Sequence, residues 1–247
     1  MNNKGALTYA VRFFVISILS VVIVLLLGIA FIKLNERRSP ALPLPTSTQS
    51  DKITLVIDAG HGGEDAGAVA SDGTLEKDLN LEIANLVYAL SILNGTHAKM
   101  TRTEDTLLYD YYGDLEDYTG QKKVYDLKNR LKIAESEENP IYLGIHMNKF
   151  SSAKYSGAQI YYSKNAKESE LLASNLATKV KKYLQPTNNR QIKGADSSIF
   201  ILNKIEAPAI LVECGFLSND NELACLKDAE YRARLALTIF SSVCEFA

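Results

Sequence analysis

Apolar and polar positions alternate along this chain in three distinct regimes. Residues 13–32 form an apolar run without a charge, about the length a helix needs to cross a bilayer. Residues 35–50 are polar and proline-rich, with Pro40, Pro43 and Pro45 followed by Thr-Ser-Thr-Gln-Ser, the composition of a stiffened linker. From about residue 52 onward, short apolar runs alternate with segments of helical periodicity. Strands are predicted over 53–58, 98–102, 141–145, 157–162, 198–202 and 209–212. Helices are predicted over 77–90, where Leu79, Ile83, Leu86, Val87 and Leu90 share a face, and over 124–134, 171–184 and 231–246. Such alternation implies a layered α/β domain with helices on both faces of a sheet. The chain thus divides into a membrane anchor or signal segment (1–34), a linker (35–51) and a folded domain (52–247).

The N-terminal run allows two readings. It is long for the apolar core of a signal peptide, which favours an uncleaved anchor, whereas Gly28-Ile29-Ala30 resembles a small-residue cleavage site. Arg12 precedes the run and Lys33, Arg37 and Arg38 follow it, so charge does not set its orientation. One further segment breaks the alternation. Residues 103–123 carry Tyr109, Tyr111, Tyr112 and Tyr118 among acidic residues and show no periodicity. A connection of that length is a functional or mobile loop; its rings could stack on sugars, meet a protein, fold back as a lid or pack.

Composition narrows the function classes. The chain has 247 residues and a formal net charge of -2, enough to bury a substantial core and too near neutrality to favour nucleic acid as a partner. Cys214, Cys225 and Cys244 match neither a zinc ribbon nor a redox CxxC pattern. A disulfide between two of them is open, and Cys214, inside an apolar strand, reads as a packed thiol.

Candidate chemistry centres on histidine, of which there are three. His61 follows the first apolar strand in IDAGHGGEDAGA, and His146 follows another in IYLGIHMN. Glu213 ends a third in AILVECGF, and Glu76 opens the first helix. Strand ends are where α/β domains place their chemistry, so parallel neighbouring strands would bring these four side chains together. Two imidazoles and one carboxylate can hold a catalytic Zn²⁺ with a position left for water, and a second carboxylate can take that water's proton. Gly60, Gly62 and Gly63 let the backbone turn tightly past a metal; the string lacks the Lys-Ser/Thr of a phosphate-binding loop. Glu213 could instead form a buried salt bridge with an arginine. His97, in a turn before a strand, reads as an ordinary surface histidine. Arg102 and Arg130 are expected to pair with carboxylates in the fold, with Arg102 also able to meet an acidic substrate group, and Asn148 could fix the His146 loop through an Asx-type turn.

On these residues the domain resembles the zinc-dependent N-acetylmuramoyl-L-alanine amidases of the type 3 family. The motifs, in order, are VIDAGHGGEDAGA, LEKDLNL, GIHMN and LVECGFLSN, with Thr101-Arg102 and Asn129-Arg130 also similar to the family. Ala66 and Met147 depart from its usual residues without removing a ligand. The resemblance implies a twisted, mostly parallel sheet flanked by helices and hydrolysis of the amide between N-acetylmuramic acid and L-alanine in peptidoglycan. It implies that His61, Glu76 and His146 hold the zinc and that Glu213 is the general base and acid. The stretch between Arg102 and Arg130, longer than is usual for the family, and the single N-terminal apolar run resemble the sporulation branch, which prepares spore cortex for muramic-δ-lactam formation. The domain is then expected outside the cytoplasm, anchored by its N-terminal helix or secreted after cleavage, in the space between forespore and mother-cell membranes. Substrate access is then expected from the domain's location or from a protein partner, such as a lipoprotein meeting the tyrosine-rich loop or its surroundings. Two rivals are an inactive peptidoglycan-binding or hydrolase-activating module of the same fold, and a zinc carboxypeptidase.

Overall fold

The computed structural model describes residues 53–246. The expected anchor (1–34) and linker (35–51) lie outside the described residues. Among the described residues no helix is long and apolar enough to cross a membrane.

The elements run β1 (Thr54–Ala59), α1 (Glu76–Leu93), β2 (His97–Met100), α2 (Lys122–Glu135), β3 (Pro140–Asn148), β4 (Gln159–Tyr162), α3 (Glu168–Tyr183), β5 (Lys193–Gly194), α4 (Phe200–Lys204), β6 (Ala209–Phe216), α5 (Asp220–Lys227) and α6 (Ala229–Phe246). They build one six-stranded sheet in the order β2-β1-β3-β6-β4-β5. The pairs β1–β2, β1–β3 and β3–β6 are parallel; β4 runs antiparallel to β6 and parallel to β5. The mostly parallel α/β expectation therefore holds, with the last two strands reversed.

The strands alternate between two cores, as a period of two requires. Leu55 and Ile57 of β1, Leu143 and Ile145 of β3, and Ile210 and Val212 of β6 face α1, α3, α5 and α6. Val56, Tyr142, Ala209 and Leu211 face the smaller layer of α2 and α4. Helix α1 shows why the larger layer adheres: Leu79, Ile83 and Val87 recur at helical spacing and are all buried, each contributing about 1.5–3 kcal/mol by leaving water.

Residues 198–202 are not a strand. Asp196 accepts from the Ser198 backbone N–H and hydroxyl, and the chain then winds into α4. Its Ile201 and Leu202, with Ile205 one turn on, seal the smaller core; a short apolar run carries no periodicity able to distinguish the two forms. Helix α5 was not expected from the sequence. It begins at Asn219, whose side chain accepts from the N–H groups of Asn221 and Glu222, as an N-cap does. Strand β2 ends at Met100, leaving Thr101 and Arg102 beyond it. All three cysteines are free thiols, and only Cys214 is buried.

The tyrosine-rich segment is mostly exposed and is packed at a few anchoring positions. Leu107, Leu108 and Tyr118 are buried, and Tyr118 lies edge-on between Tyr109 and Tyr125, at 5.3 Å from each ring centroid. Tyr111 stays exposed.

Candidate active site

The sheet register assembles the site. His146 and Glu213 are directly paired across β3 and β6, so their side chains leave the same face, the one that carries α2 and α4. The ladder between β1 and β3 continues through Gly60 N–H to the Ile145 carbonyl, 3.1 Å, which delivers His61 to the same edge. The two imidazole rings sit edge to face, 5.0 Å apart.

Glu76 arrives from the opposite layer. Helix α1 has no side-chain N-cap; its first amides are satisfied by the loop instead, with Glu76 N–H donating to Ala68 O and Lys77 N–H to Ala66 O. That docking places the Glu76 carboxylate at a helix N-terminus, where negative charge is favoured. One oxygen accepts from Ala68 N–H at 2.7 Å. The other accepts from Met147 N–H at 3.0 Å and lies 3.0 Å from His146 Nδ1 and 3.2 Å from His61 Nε2. Burial alone would raise the carboxyl's pKa; the hydrogen bonds to His146 and His61 more than offset this and hold it well below the usual range.

These three residues offer donor atoms all within 4.8 Å of one another. Four ligands in tetrahedral array around Zn²⁺ stand about 3.3 Å apart, close to the separations from Glu76 Oε1 to each imidazole. The donor set therefore suits a divalent metal ion. His61 is held ready for it from behind: Asp65 Oδ2 meets its Nδ1 at 2.9 Å, the carboxylate–histidine arrangement that fixes tautomer and ring orientation. His61 also adopts φ +62°, a left-handed conformation costing about 1–3 kcal/mol in a non-glycine residue.

Two glycines make the packing possible. A Cβ on Gly60 would overlap Cε1 and Nε2 of the His146 ring, and one on Gly67 would lie 2.6 Å from Glu76 Oε2 and 2.7 Å from His61 Cδ2.

Glu213 stands beside the set and belongs to no ion pair with an arginine. Its Oε2 is shielded from solvent and has no hydrogen-bond partner among the protein groups. Burial, reinforced by the Glu76 charge and opposed by the two imidazoles, pushes its carboxyl up to about 7. Shielded, unpartnered carboxylates mark functional sites. Glu213 lines a cleft of ≈ 240 Å³ with His61, His146 and the apolar wall of Leu127, Ile199 and Phe200.

Matching of family sequences places the N-acetylmuramoyl-L-alanine amidase domain on residues 55–245. The chain belongs to this amidase family. Among its relatives is the germination-specific N-acetylmuramoyl-L-alanine amidase of Bacillus subtilis (strain 168), 33% identical over 215 residues, which cover 86% of this chain and 85% of that protein. The fold is shared with the CwlD amidase of Clostridioides difficile, solved in complex with the GerS lipoprotein. That match has a TM-score of 0.72 at 36% identity and covers 79% of this chain and 98% of that one. The amidase AmiC2 of Nostoc punctiforme matches with a TM-score of 0.66 at 28% identity, covering 80% of this chain and 98% of that one. The chain is accordingly an amidase rather than a carboxypeptidase.

Other sequence-marked residues fall outside the reacting groups. In this amidase Arg130 is fully buried and pairs with Asp58 at 2.6 Å and with Asp126 at 2.8 Å, as expected. Arg102 corrects its expectation: it pairs with no carboxylate and gives its N–H groups to four backbone carbonyls. Burial and the neighbouring Arg130 charge pull it down to about 10, still cationic at neutral pH. The Asx-type turn at Asn148 does not form; its backbone carbonyl accepts from Leu217 N–H. Cys214 is a fully buried, packed thiol whose pKa burial raises, which disfavours the reactive thiolate. His97 is exposed and meets the Thr54 hydroxyl. Asp65 is a further residue that the structure brings to the site, against His61 Nδ1. Its signal was present as an acidic residue four positions after His61, within reach of the same imidazole.

Proposed function

We propose that this amidase cleaves the bond between the lactyl group of N-acetylmuramic acid and L-alanine in peptidoglycan, with a zinc ion held by His61, Glu76 and His146 and with Glu213 as general base and then acid. The observation that carries this reading is the convergence of those three donors beside the shielded, unpartnered Oε2 of Glu213. A zinc ion held by these three residues would supply Lewis acidity, making water a better nucleophile near neutral pH and polarising the amide carbonyl.

The chain's own groups do the rest. Glu213, with its shielded and unpartnered oxygen facing the site, accepts in its carboxylate form a proton from the water attacking the amide carbon. The same oxygen returns it to the nitrogen of L-alanine as the C–N bond breaks, a proton relay worth typically 10²–10⁴-fold. Asp65 fixes the His61 ring through Nδ1, and Met147 N–H fixes Glu76, so the ligands need no reorganisation during turnover. The cleft wall of Leu127, Ile199 and Phe200 limits water beside the reacting bond.

The setting is inferred from the relatives and from the chain's first segment. The germination-specific relative and the sporulation-type resemblance support a role in spore cortex maturation. The lipoprotein complex of the CwlD amidase supports a protein partner for this chain, for which the exposed Tyr111 side of the 103–123 segment is the candidate surface. The apolar run at 13–32 supports attachment to a membrane, with residues 52–247 acting outside the cytoplasm on the wall.

Mass spectrometry of digested, purified peptidoglycan tests the chemistry. Release of intact stem peptides, leaving glycan with free lactyl groups, is the expected product pattern. Stems shortened from their carboxyl end, or no release by the metal-loaded domain with or without a partner, would refute the assignment.

A further inference from the structure

Five consecutive residues carry His61 into the site, and most of their carbonyls accept from a buried cation. Ala59 O accepts from Arg102 Nε and from Arg130 Nη1, each at 2.8 Å. Gly60 O accepts from Arg102 Nη2 at 3.1 Å and from Asn80 Nδ2 at 3.0 Å. His61 O accepts from Arg130 Nη2 at 2.7 Å. Gly63 O accepts from Lys77 Nζ at 2.8 Å, while Gly63 N–H donates to Asp105, itself bound to that same ammonium. Gly62 is left to close its own turn with Asp65 through two bonds of 3.0 Å.

The arrangement is specific to guanidinium. Arg130 spans three acceptors at once, Ala59 O, His61 O and the Asp58 carboxylate, with Nε on Asp126. Arg102 ties the first two residues of the turn, Ala59 and Gly60, to the first residues of α1 through Lys77 O. A lysine at either place has one nitrogen and cannot span these acceptors. Three cations so close to a divalent ion's site would repel it unless compensated, and the structure compensates two of them: Asp58 and Asp126 take Arg130, and Asp105 takes Lys77. Arg102 alone has no carboxylate partner, so its position is not explained by ion pairing.

We propose that Arg102 and Arg130 are positioning residues that force the left-handed turn at His61 and so preset its imidazole against Glu76 and His146. The inference rests on the proposed assignment of the zinc ligands. Neither arginine touches a donor atom; both act through backbone carbonyls. Without them the turn can relax toward ordinary φ, swinging the His61 side chain out of register with the other two ligands.

The test is metal affinity and ligand geometry in Arg130→Lys and Arg102→Lys, with His61→Ala alongside. Competition titration with Zn²⁺ should show affinity reduced roughly 10–100-fold in each arginine variant, the usual effect of removing a group that supports a ligand. The Co²⁺-substituted variants should show altered visible bands, and amide exchange at Gly62 and Gly63 should accelerate in the chelated domain. Arg102→Lys leaves every carboxylate with its partner, so it decides the matter if Arg130→Lys does not fold. Folded variants with wild-type Zn²⁺ affinity and unchanged Co²⁺ bands would overturn the proposal while leaving the ligand assignment intact. Wild-type affinity in His61→Ala would instead bring down the ligand assignment, and this proposal with it.

Discussion

Gly60 offers a sharp test of how closely the site is packed. An alanine there adds one carbon, in a backbone conformation open to any residue, because Gly60 is not among the positive-φ positions. The added Cβ would lie 2.7 Å from His146 Nδ1 and nearer still to Cε1 and Nε2, whereas unbonded carbon atoms settle at roughly 3.5 Å. The ring must therefore retreat by about 1 Å, a misplacement that can cost on the order of 100-fold in rate, and the strain should destabilise the fold by about 1–3 kcal/mol. Gly95→Ala is the matched control. Gly95 has φ +75°, and a Cβ added there would meet nothing within 4 Å, so the change costs about 1 kcal/mol of backbone strain without approaching the ligands. Thermal unfolding, Zn²⁺ competition and release of stem peptides from peptidoglycan measure the pair. Gly60→Ala should lose Zn²⁺ affinity and turnover, while Gly95→Ala should lose only a few degrees of melting temperature. Wild-type affinity and turnover in Gly60→Ala would refute the claim that His146 is confined by the Gly60 backbone.

Two further perturbations separate catalysis from stability. Glu213→Gln should retain Zn²⁺ and fall about 10²–10⁴-fold in kcat. In the chelated domain it should also be stabilising: a carboxyl raised to about 7 from an unfolded value of 4.5 disfavours folding once pH exceeds 4.5, by up to about 3 kcal/mol above pH 7. The melting temperatures of variant and wild type should thus converge near pH 4 and diverge toward pH 8; parallel curves would contradict the shift. Asp58 has the opposite sign. Burial would raise its carboxyl, but the Arg130 guanidinium and the Thr101 and Tyr142 hydroxyls outweigh that and hold it below its ordinary 3.8. Its contribution is full above that value and is lost as pH falls through the folded one. Asp58→Asn should cost about 3 kcal/mol at neutral pH and flatten the acid limb of stability below pH 4, which melting curves across pH will check.

The site was more legible in the sequence than the fold around it. His61, His146 and Glu213 each follow a run of apolar residues, and strand ends in α/β domains converge, so their meeting could be expected before any register was known. Glu76 opens a helix whose apolar stripe from Leu79 to Leu90 fixes its direction. What the linear pattern lacks is information on partners far away in the chain. Arg130 meets Asp58 across 72 positions, and Arg102 spends its donors on carbonyls, which no side-chain pattern marks. The reversal of β4 depends on pairing rather than on its own residues. Residues 198–202 are apolar at too few positions to separate strand from helix, and packing against Tyr142 and Leu211 decides for the helix.

The central claim is that four side chains distant in sequence surround one cation at the sheet's edge. Zinc-edge anomalous diffraction from crystals of the catalytically active domain tests it most directly. One zinc per chain is expected, bonded to His61, Glu76 and His146, with Glu213 adjacent and unbonded. Zinc found at other residues, or full turnover after its complete removal, would contradict the claim.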